Sequence, residues 1–249
     1  MDKKKLLSLN LAIIMESLAS QILDLVKKHA NSPSRAKSDG SPVTALDLAL
    51  SELIEKATYE HFPGTTVYSE EKYSSWSFPL MAIDPLDGTK EFIKGRPEWV
   101  VSVAHLLSER FEGEGWIFNP LTGEKFYEVK EGYSDKPQYC GEVSHSEWDK
   151  GLYTNFKSNK FSITPMGSIA YKLGRLSAGK IDFVVSLAPK NIWDVAAGSV
   201  LCKNAGIKFW SQGQEVIEVN KLYQPPLIWC REEIFSELSE LFPSKGKYP

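Results

Sequence analysis

Apolar side chains recur at Leu7, Leu11, Ile14, Leu18, Ile22 and Leu25, three or four residues apart. That spacing predicts one amphipathic helix over about Lys4 to Lys28. A polar stretch, Asn31 to Ser41, follows, punctuated by Pro33, Gly40 and Pro42. Helical spacing returns at Leu46, Ala49, Leu50, Leu53, Ile54 and Ala57, in a helix that opens near Thr44 and ends at Pro63-Gly64. The pattern then changes. Val67-Tyr68-Ser69 reads as a short strand, Phe78 to Ile83 as a buried one, and Trp99 to Leu107 as strongly β-prone. Gly115 to Asn119 and Lys125 to Val129 read as a hairpin across Pro120-Leu121-Thr122-Gly123.

Glu131 to Pro137 is polar and turn-rich and marks the expected boundary between two subdomains, residues 1–135 and 136–249. Beyond it, helices are expected at Ser168 to Ala178, Trp193 to Asn204 and Arg231 to Leu241. Strands are expected at Ile181 to Leu187 and Leu227 to Cys230, and a hairpin from Ile207–Trp210 and Glu215–Val219. Helix pairs beside mixed sheets predict an α/β molecule built of alternating helix and sheet layers.

Composition narrows the chemistry. The 249 residues carry 29 Lys+Arg against 32 Asp+Glu, a net charge of -3. A nucleic-acid polymer is therefore not the expected partner, since such binders normally show a basic stripe. No apolar run approaches the ~20 residues that span a bilayer, so no membrane partner is expected. Lys3-Lys4-Lys5 before an apolar run imitates a signal peptide, but Asn10 and Glu16 interrupt it and the helical stripe continues past any cleavage point. Cys140, Cys202 and Cys230 form neither a disulfide framework nor a zinc pattern, which fits a reducing, cytoplasmic compartment.

Four short segments could carry chemistry. In Asp84-Pro85-Leu86-Asp87-Gly88-Thr89, two carboxylates stand just past a buried strand. They repel unless a cation lies between them, and hard oxygen ligands suit Mg²⁺ or Mn²⁺. Gly88 and Thr89 then offer backbone N–H groups ahead of a short helix, an arrangement that can hold phosphate. Each segment also has a plainer reading. Asp-x-x-Asp is an ordinary turn. Ile192-Trp193-Asp194-Val195-Ala196-Ala197-Gly198 is a capped, tightly packed helix start. Thr44-Ala45-Leu46-Asp47 is a capping box. Ser69-Glu70-Glu71 is solvated surface. His105, in a strand, reads as a packed core residue.

Taken together and in order, T-x-x-D, E-E, D-P-x-D-G-T and W-D-x-A-A-G resemble the inositol monophosphatase superfamily along nearly the whole chain. The resemblance implies an αβαβα sandwich of the inositol monophosphatase/fructose-1,6-bisphosphatase type. It implies a lithium-sensitive phosphomonoesterase that uses two or three Mg²⁺ ions, or Mn²⁺, often as a homodimer. Carried over by residue, the metal ligands would be Glu70, Asp84, the Leu86 carbonyl, Asp87 and Asp194. Thr89 with Asp47 would help activate the attacking water, and Asp87, Gly88 and Thr89 would meet the substrate. Metal ions that lower the pKa of water and neutralise a phosphoryl group suit that chemistry.

Within the superfamily, Asp87-Gly88-Thr89-Lys90-Glu91-Phe92, Gly167-Ser168-Ile169-Ala170-Tyr171-Lys172 and Pro189-Lys190-Asn191 resemble the bacterial CysQ-type 3'(2'),5'-bisphosphate nucleotidases. The expected substrate is thus a small phosphorylated one, adenosine 3',5'-bisphosphate, hydrolysed to AMP and phosphate. Lys90, Gly167, Ser168, Lys172 and Lys190 join the candidate binding residues, because a second phosphate calls for cations. Inositol phosphatases usually carry a sugar-binding acid where this chain has Leu187. Two departures from the nucleotidases are the missing Arg near Ser186 and the missing acid at Ile192. An inositol or sugar monophosphatase is the alternative, and a catalytically silent, metal-dependent nucleotide-binding protein is a second.

Overall fold

The computed structural model describes residues 3–30, 33–36, 42–71, 75–128 and 136–242, with side chains from Leu11 onward except that of Pro42. Helix α1 (Lys3–His29) buries Leu11, Met15, Leu18, Ile22 and Val26. The buried stripe is rotated from the expected one, leaving Ile14 and Leu25 on its flank. The side chain of Leu7 lies outside the described residues. A two-strand ribbon, β1 (Arg35–Ala36) and β2 (Pro42–Val43), leads to α2 (Ala45–His61). Leu46, Leu50, Ile54 and Ala57 of α2 are buried as its periodicity predicts, each large aliphatic stabilising the fold by about 1.5–3 kcal/mol.

These helices cover one face of a five-stranded sheet. Its strands are β3 (Thr66–Ser69), β4 (Leu80–Asp87), then after α3 (Thr89–Ile93) β5 (Val100–Leu106), β6 (Gly113–Phe118) and β7 (Lys125–Phe126). Only β3 and β4 are parallel; the later pairings are antiparallel. Alternation along β4 and β5 sorts the core. Met81, Ile83, Val101 and Val103 face α1 and α2. Leu80, Ala82, Val100 and Ala104 face the opposite way, into a second apolar layer.

That layer is filled by α5 (Ile169–Ser177) and α6 (Ile192–Asn204). Small residues let them close in. A Cβ on Gly198 would meet Leu173 Cβ at 2.3 Å, and one on Gly115 would meet the Ala197 carbonyl at 2.5 Å. The other side of the pair meets a six-stranded sheet. It contains β8 (Tyr139–Ser144), β9 (Phe161–Met166) and β10 (Phe183–Ser186), with α4 (His145–Asp149) inserted after β8. A ribbon of β11 (Lys190–Asn191) and β14 (Leu222–Tyr223) stands apart. The sheet is completed by β12 (Lys208–Ser211), β13 (Gln214–Glu215) and β15 (Leu227–Cys230), in the order β13-β12-β15-β10-β8-β9. Val184 faces inward, while Phe183, Val185 and Ile228 face outward onto Ile234 and Leu238 of α7 (Glu232–Glu240). The result is the expected layering of helices and sheets.

Several expectations are revised. The strand expected at Phe78–Ile83 runs to Asp87, so the Asp-Pro-Leu-Asp motif lies inside it, at an irregularity between Asp84 and Asp87. The β1–β2 ribbon, strands β8 and β9, helix α4 and the β11–β14 ribbon are additions to the elements expected from the sequence. The second arm of the late hairpin is two residues, Gln214–Glu215, and not Glu215–Val219. Val129, residues 131–135 of the boundary segment, and Asn31, Ser32 and residues 37–41 of the polar stretch lie outside the described residues. Among the described residues no helix is long and apolar enough to cross a membrane, and all three cysteines are free thiols.

Candidate active site

The parallel pair β3–β4 ends where the starts of α2, α3, α5 and α6 approach it. Glu70 continues β3, its N–H donating to the Ile83 carbonyl at 3.1 Å. Asp84 and Asp87 flank the irregular turn of β4, in which Leu86 N–H donates to Asp84 Oδ1 at 3.0 Å. Gly88 follows with φ 102°, and a Cβ there would sit 2.9 Å from both the Glu98 carbonyl and Trp99 Cβ. Only glycine meets both demands. Asp194 reaches the same place from the third residue of α6, where its Oδ2 accepts the Asn191 N–H at 2.8 Å. Glu70, Asp84, Leu86, Asp87, Gly88, Thr89, Lys90 and Asp194 together line one cleft of about 200 Å³.

Electrostatics there is dominated by crowded carboxylates. Burial pushes Asp84 well above the usual carboxylate range, and the charges of Glu70, Asp87 and Asp194 push the same way. Burial lifts Asp194 to about 7, against the pull of nearby Lys190 and with added repulsion from Asp87 and Glu70. Asp87 is also raised by burial, opposed by bonds from Ser168 Oγ and Ala170 N–H, both at 2.6 Å, and by Lys172 and Lys190. Such a set is costly in water-poor surroundings unless a cation joins it. All its donors are hard oxygens, the kind that suits Mg²⁺ or Mn²⁺ and not a softer ion. The donors thus fit a hard divalent cation in kind. Among the described residues, however, no three Asp, Glu, His or Cys side chains are gathered tightly enough to clasp an ion as they stand.

Asp47 and Thr89 lie at the edge of this cleft. Asp47 is buried at the first turn of α2, where its Oδ2 accepts from Thr44 N–H at 2.8 Å and Thr44 Oγ1 at 2.5 Å. This is the predicted capping box. Its other oxygen accepts from Thr89 Oγ1 at 3.4 Å, a hydroxyl that also points at the Leu86 carbonyl at 3.1 Å. With its proton held on that side, Thr89 Oγ1 has lone pairs free to accept a hydrogen bond from water. Burial raises Asp47, as does the charge of Glu71, while the Thr44 bonds oppose them.

A second cleft of about 150 Å³ adjoins the first and shares Asp87, Gly88, Glu91 and Asp194 with it. Lys172 and Lys190 line it, with Ser144, Ser168 and Ser186. Lys172 is 2% exposed and donates to the Met166 carbonyl at 2.9 Å. Burial lowers it to about 8, with Asp87, Glu147 and Glu142 resisting. Lys90 is exposed at the mouth of the first cleft. Ser168, at φ 55°, caps α5 and spends its hydroxyl on Asp87, so it holds that carboxylate in place. Gly167 donates its N–H to Glu98 Oε2 at 2.7 Å, where His145 Nε2 also binds at 2.7 Å.

Leu187 lies apart from the candidate site. Leu187 does not face either cleft; it is 1% exposed, inside the apolar cluster under α7. Its N–H donates to Glu147 Oε2 at 3.1 Å, while Ser186 Oγ reaches Glu147 Oε1 at 2.8 Å. An acid at 187 would therefore be a buried charge and not a sugar ligand. Ser144 of the second cleft and Glu147 behind Ser186 lie in none of the four motifs of the sequence. His105 is a core residue as expected, 3.3 Å from Thr65 Oγ1 and edge-on to Phe62, with its pKa lowered by burial.

Comparisons with known proteins place the chain in a family. The family model described as the inositol monophosphatase family matches residues 7–232. The 3'(2'),5'-bisphosphate nucleotidase CysQ of Escherichia coli (strain K12) is 30% identical over 192 residues, 69% of this chain and 76% of that protein. The fructose-1,6-bisphosphatase/inositol-1-monophosphatase of Thermotoga maritima is 28% identical over 181 residues, 66% of this chain and 69% of its own. Among solved structures, a Thermotoga maritima IMPase superposes with a TM-score of 0.74 at 22% identity, covering 89% of this chain and 92% of the other. An IMPase/NADP phosphatase in complex with Mg²⁺ and phosphate gives 0.77 at 14% identity, covering 97% and 98%. With the family model matched over residues 7–232, the chain belongs to the inositol monophosphatase family.

Proposed function

We propose that this phosphomonoesterase hydrolyses adenosine 3',5'-bisphosphate to AMP and phosphate with Mg²⁺. The family gives the reaction class. The observation that carries the substrate is the pairing of two clefts, one rimmed by carboxylates and one holding the buried Lys172 beside Lys190. A bisphosphate needs both: a metal-assisted site for the ester that breaks and fixed cations for the phosphate that stays. The similarity to CysQ supports the same reading.

Glu70, Asp84, the Leu86 carbonyl, Asp87 and Asp194 would hold the cation or cations. Bound there, such ions supply charge neutralisation for the phosphoryl group and a lowered pKa for water. The chain's own part is placement. Asp47 fixes the Thr89 hydroxyl so that its lone pairs orient the attacking water. The turn at Gly88, closed to any side chain, brings the backbone near the phosphate. Ser168 and the Ala170 N–H hold Asp87 at the junction of the clefts. Lys172 and Lys190 face the second phosphate.

An inositol or sugar monophosphatase is the competing reading. Glu91, Ser144 and Ser186 favour it, since they offer the second cleft groups suited to sugar hydroxyls. Phosphate release from adenosine 3',5'-bisphosphate, inositol 1-phosphate and fructose 1,6-bisphosphate separates the two. A kcat/KM at least about tenfold higher for the nucleotide, worth ~1.4 kcal/mol of transition-state binding, is expected. Preference for inositol 1-phosphate by the same margin would contradict the assignment while leaving the metal site in place.

A further inference from the structure

We infer that a cavity beside the C-terminal half of α6 is a second small-molecule site, built for a ligand with an apolar body and one anionic group. The cavity measures about 290 Å³ and shares no lining residue with the two clefts described above. Its size is near the lower end of small-molecule sites, roughly 300–1,000 Å³. The body of the ligand would lie against Phe111, Phe209, Val216 and Ile217. Ile217 is 62% exposed at the rim, apolar area that such a ligand would remove from water.

Charge sets the sign of the ligand. Arg110, Lys203 and Lys208 line the cavity with a single carboxylate, Glu215; Lys208 is held by Glu215 at 3.1 Å and by Glu232 at 2.8 Å, which leaves Arg110 and Lys203 as the cations without a carboxylate partner among the described residues. Lys203 is engaged with the Arg110 carbonyl. The Arg110 guanidinium is exposed and forms no ion pair with the described residues, leaving a planar donor fork at the entrance. At the wall, Ser199 is 4% exposed and its Oγ accepts from Trp229 Nε1 at 3.0 Å. The serine's own proton has no acceptor among the described residues, so a buried donor is left for a ligand atom.

Backbone strain points to the same place. Phe111 is buried with φ 51°, a left-handed conformation that a bulky residue adopts at a cost of about 1–3 kcal/mol. Phe111 stands in the short β5–β6 connection, lines the cavity and packs its ring near Tyr223. Such outliers collect at sites that clamp ligands.

The test is NMR titration of the full chain, following the Trp229 indole N–H and the Val216 amide. The probes are phenylacetate, neutral phenylacetamide and acetate. Saturable shifts at both reporters are expected with phenylacetate, weaker binding with phenylacetamide and none with acetate. Arg110→Glu should weaken phenylacetate by about tenfold or more, the loss of one charge-assisted hydrogen bond. That variant changes an exposed side chain, so the test survives if a cavity-filling Val216→Trp fails to fold; folded Val216→Trp should lose binding. Absence of saturable shifts with phenylacetate, or an affinity indifferent to Arg110→Glu, overturns the site. Neither result depends on turnover in the acidic cleft.

Discussion

Lys172 is a lysine that the fold has taken out of water, with its ammonium set among Asp87, Glu147 and Glu142. Its pKa of about 8 fixes the sign of a pH effect. Below that value it is charged and, on the proposed function, would attract a second phosphate; as pH rises through it, the charge is lost. KM for adenosine 3',5'-bisphosphate should therefore rise above pH 8, while KM for inositol 1-phosphate stays level. In Lys172→Met the nucleotide KM should be high and flat. A nucleotide KM unchanged by Lys172→Met would remove this lysine from the binding site. At this scale most of the cleft was legible in the sequence, because Asp84, Asp87, Gly88 and Thr89 fall in one short motif. The burial of Leu187 also has a reason present in the sequence. Phe183 and Val185 alternate outward from Val184, and the same parity carries Leu187 into the outer core.

Elements position what the motifs supply. The first turn of α2 serves twice, since Thr44 caps the helix and its hydroxyl also bonds the Asp47 carboxylate that orients Thr89. Thr44→Ala should cost about 0.5–2 kcal/mol of stability, seen as a lower melting temperature. It should also reduce kcat with little change in KM, and Thr44→Ser should restore both. A melting change without a kcat change would confine Thr44 to capping. Helices were legible where a 3.6-residue period recurs, as in α2, or where glycine ends them, as in α5. Strands β8 and β9 were not. Buried Glu142 is neutralised by Arg175 from α5, an ion pair at 3.0 Å, so the polar interruption of β8 has a partner no local pattern reveals. The run of β4 to Asp87 was hidden by Pro85, which the irregularity in the ladder accommodates.

Across the whole molecule, two sheets and three helical layers bring residues from both halves of the chain to one acidic cleft. The layers follow from alternation within each strand, but the order β13-β12-β15-β10-β8-β9 rests on pairings distant in sequence that local patterns do not encode. Gathering the carboxylates makes stability depend on pH and metal. Asp84, Asp87 and Asp194 all have raised pKa values, Asp194 moving from 3.8 to about 7. From about pH 4 to 7 the folded chain thus binds more protons than the unfolded one, and metal-free stability falls as pH rises through that window. Melting of the EDTA-treated protein should drop between pH 5 and about pH 7.5. Millimolar Mg²⁺ should recover at least about 3 °C at the higher pH, roughly 1 kcal/mol, and less at the lower. A melting temperature insensitive to Mg²⁺ at both pH values would contradict the linkage. The most direct measurement is phosphate release from adenosine 3',5'-bisphosphate by wild type and Asp84→Asn, each with and without Mg²⁺. The account predicts release by the wild type only with Mg²⁺, and at least about a hundredfold loss in Asp84→Asn, some 2.7 kcal/mol of barrier. Near-normal turnover by Asp84→Asn, or release indifferent to Mg²⁺, would contradict it.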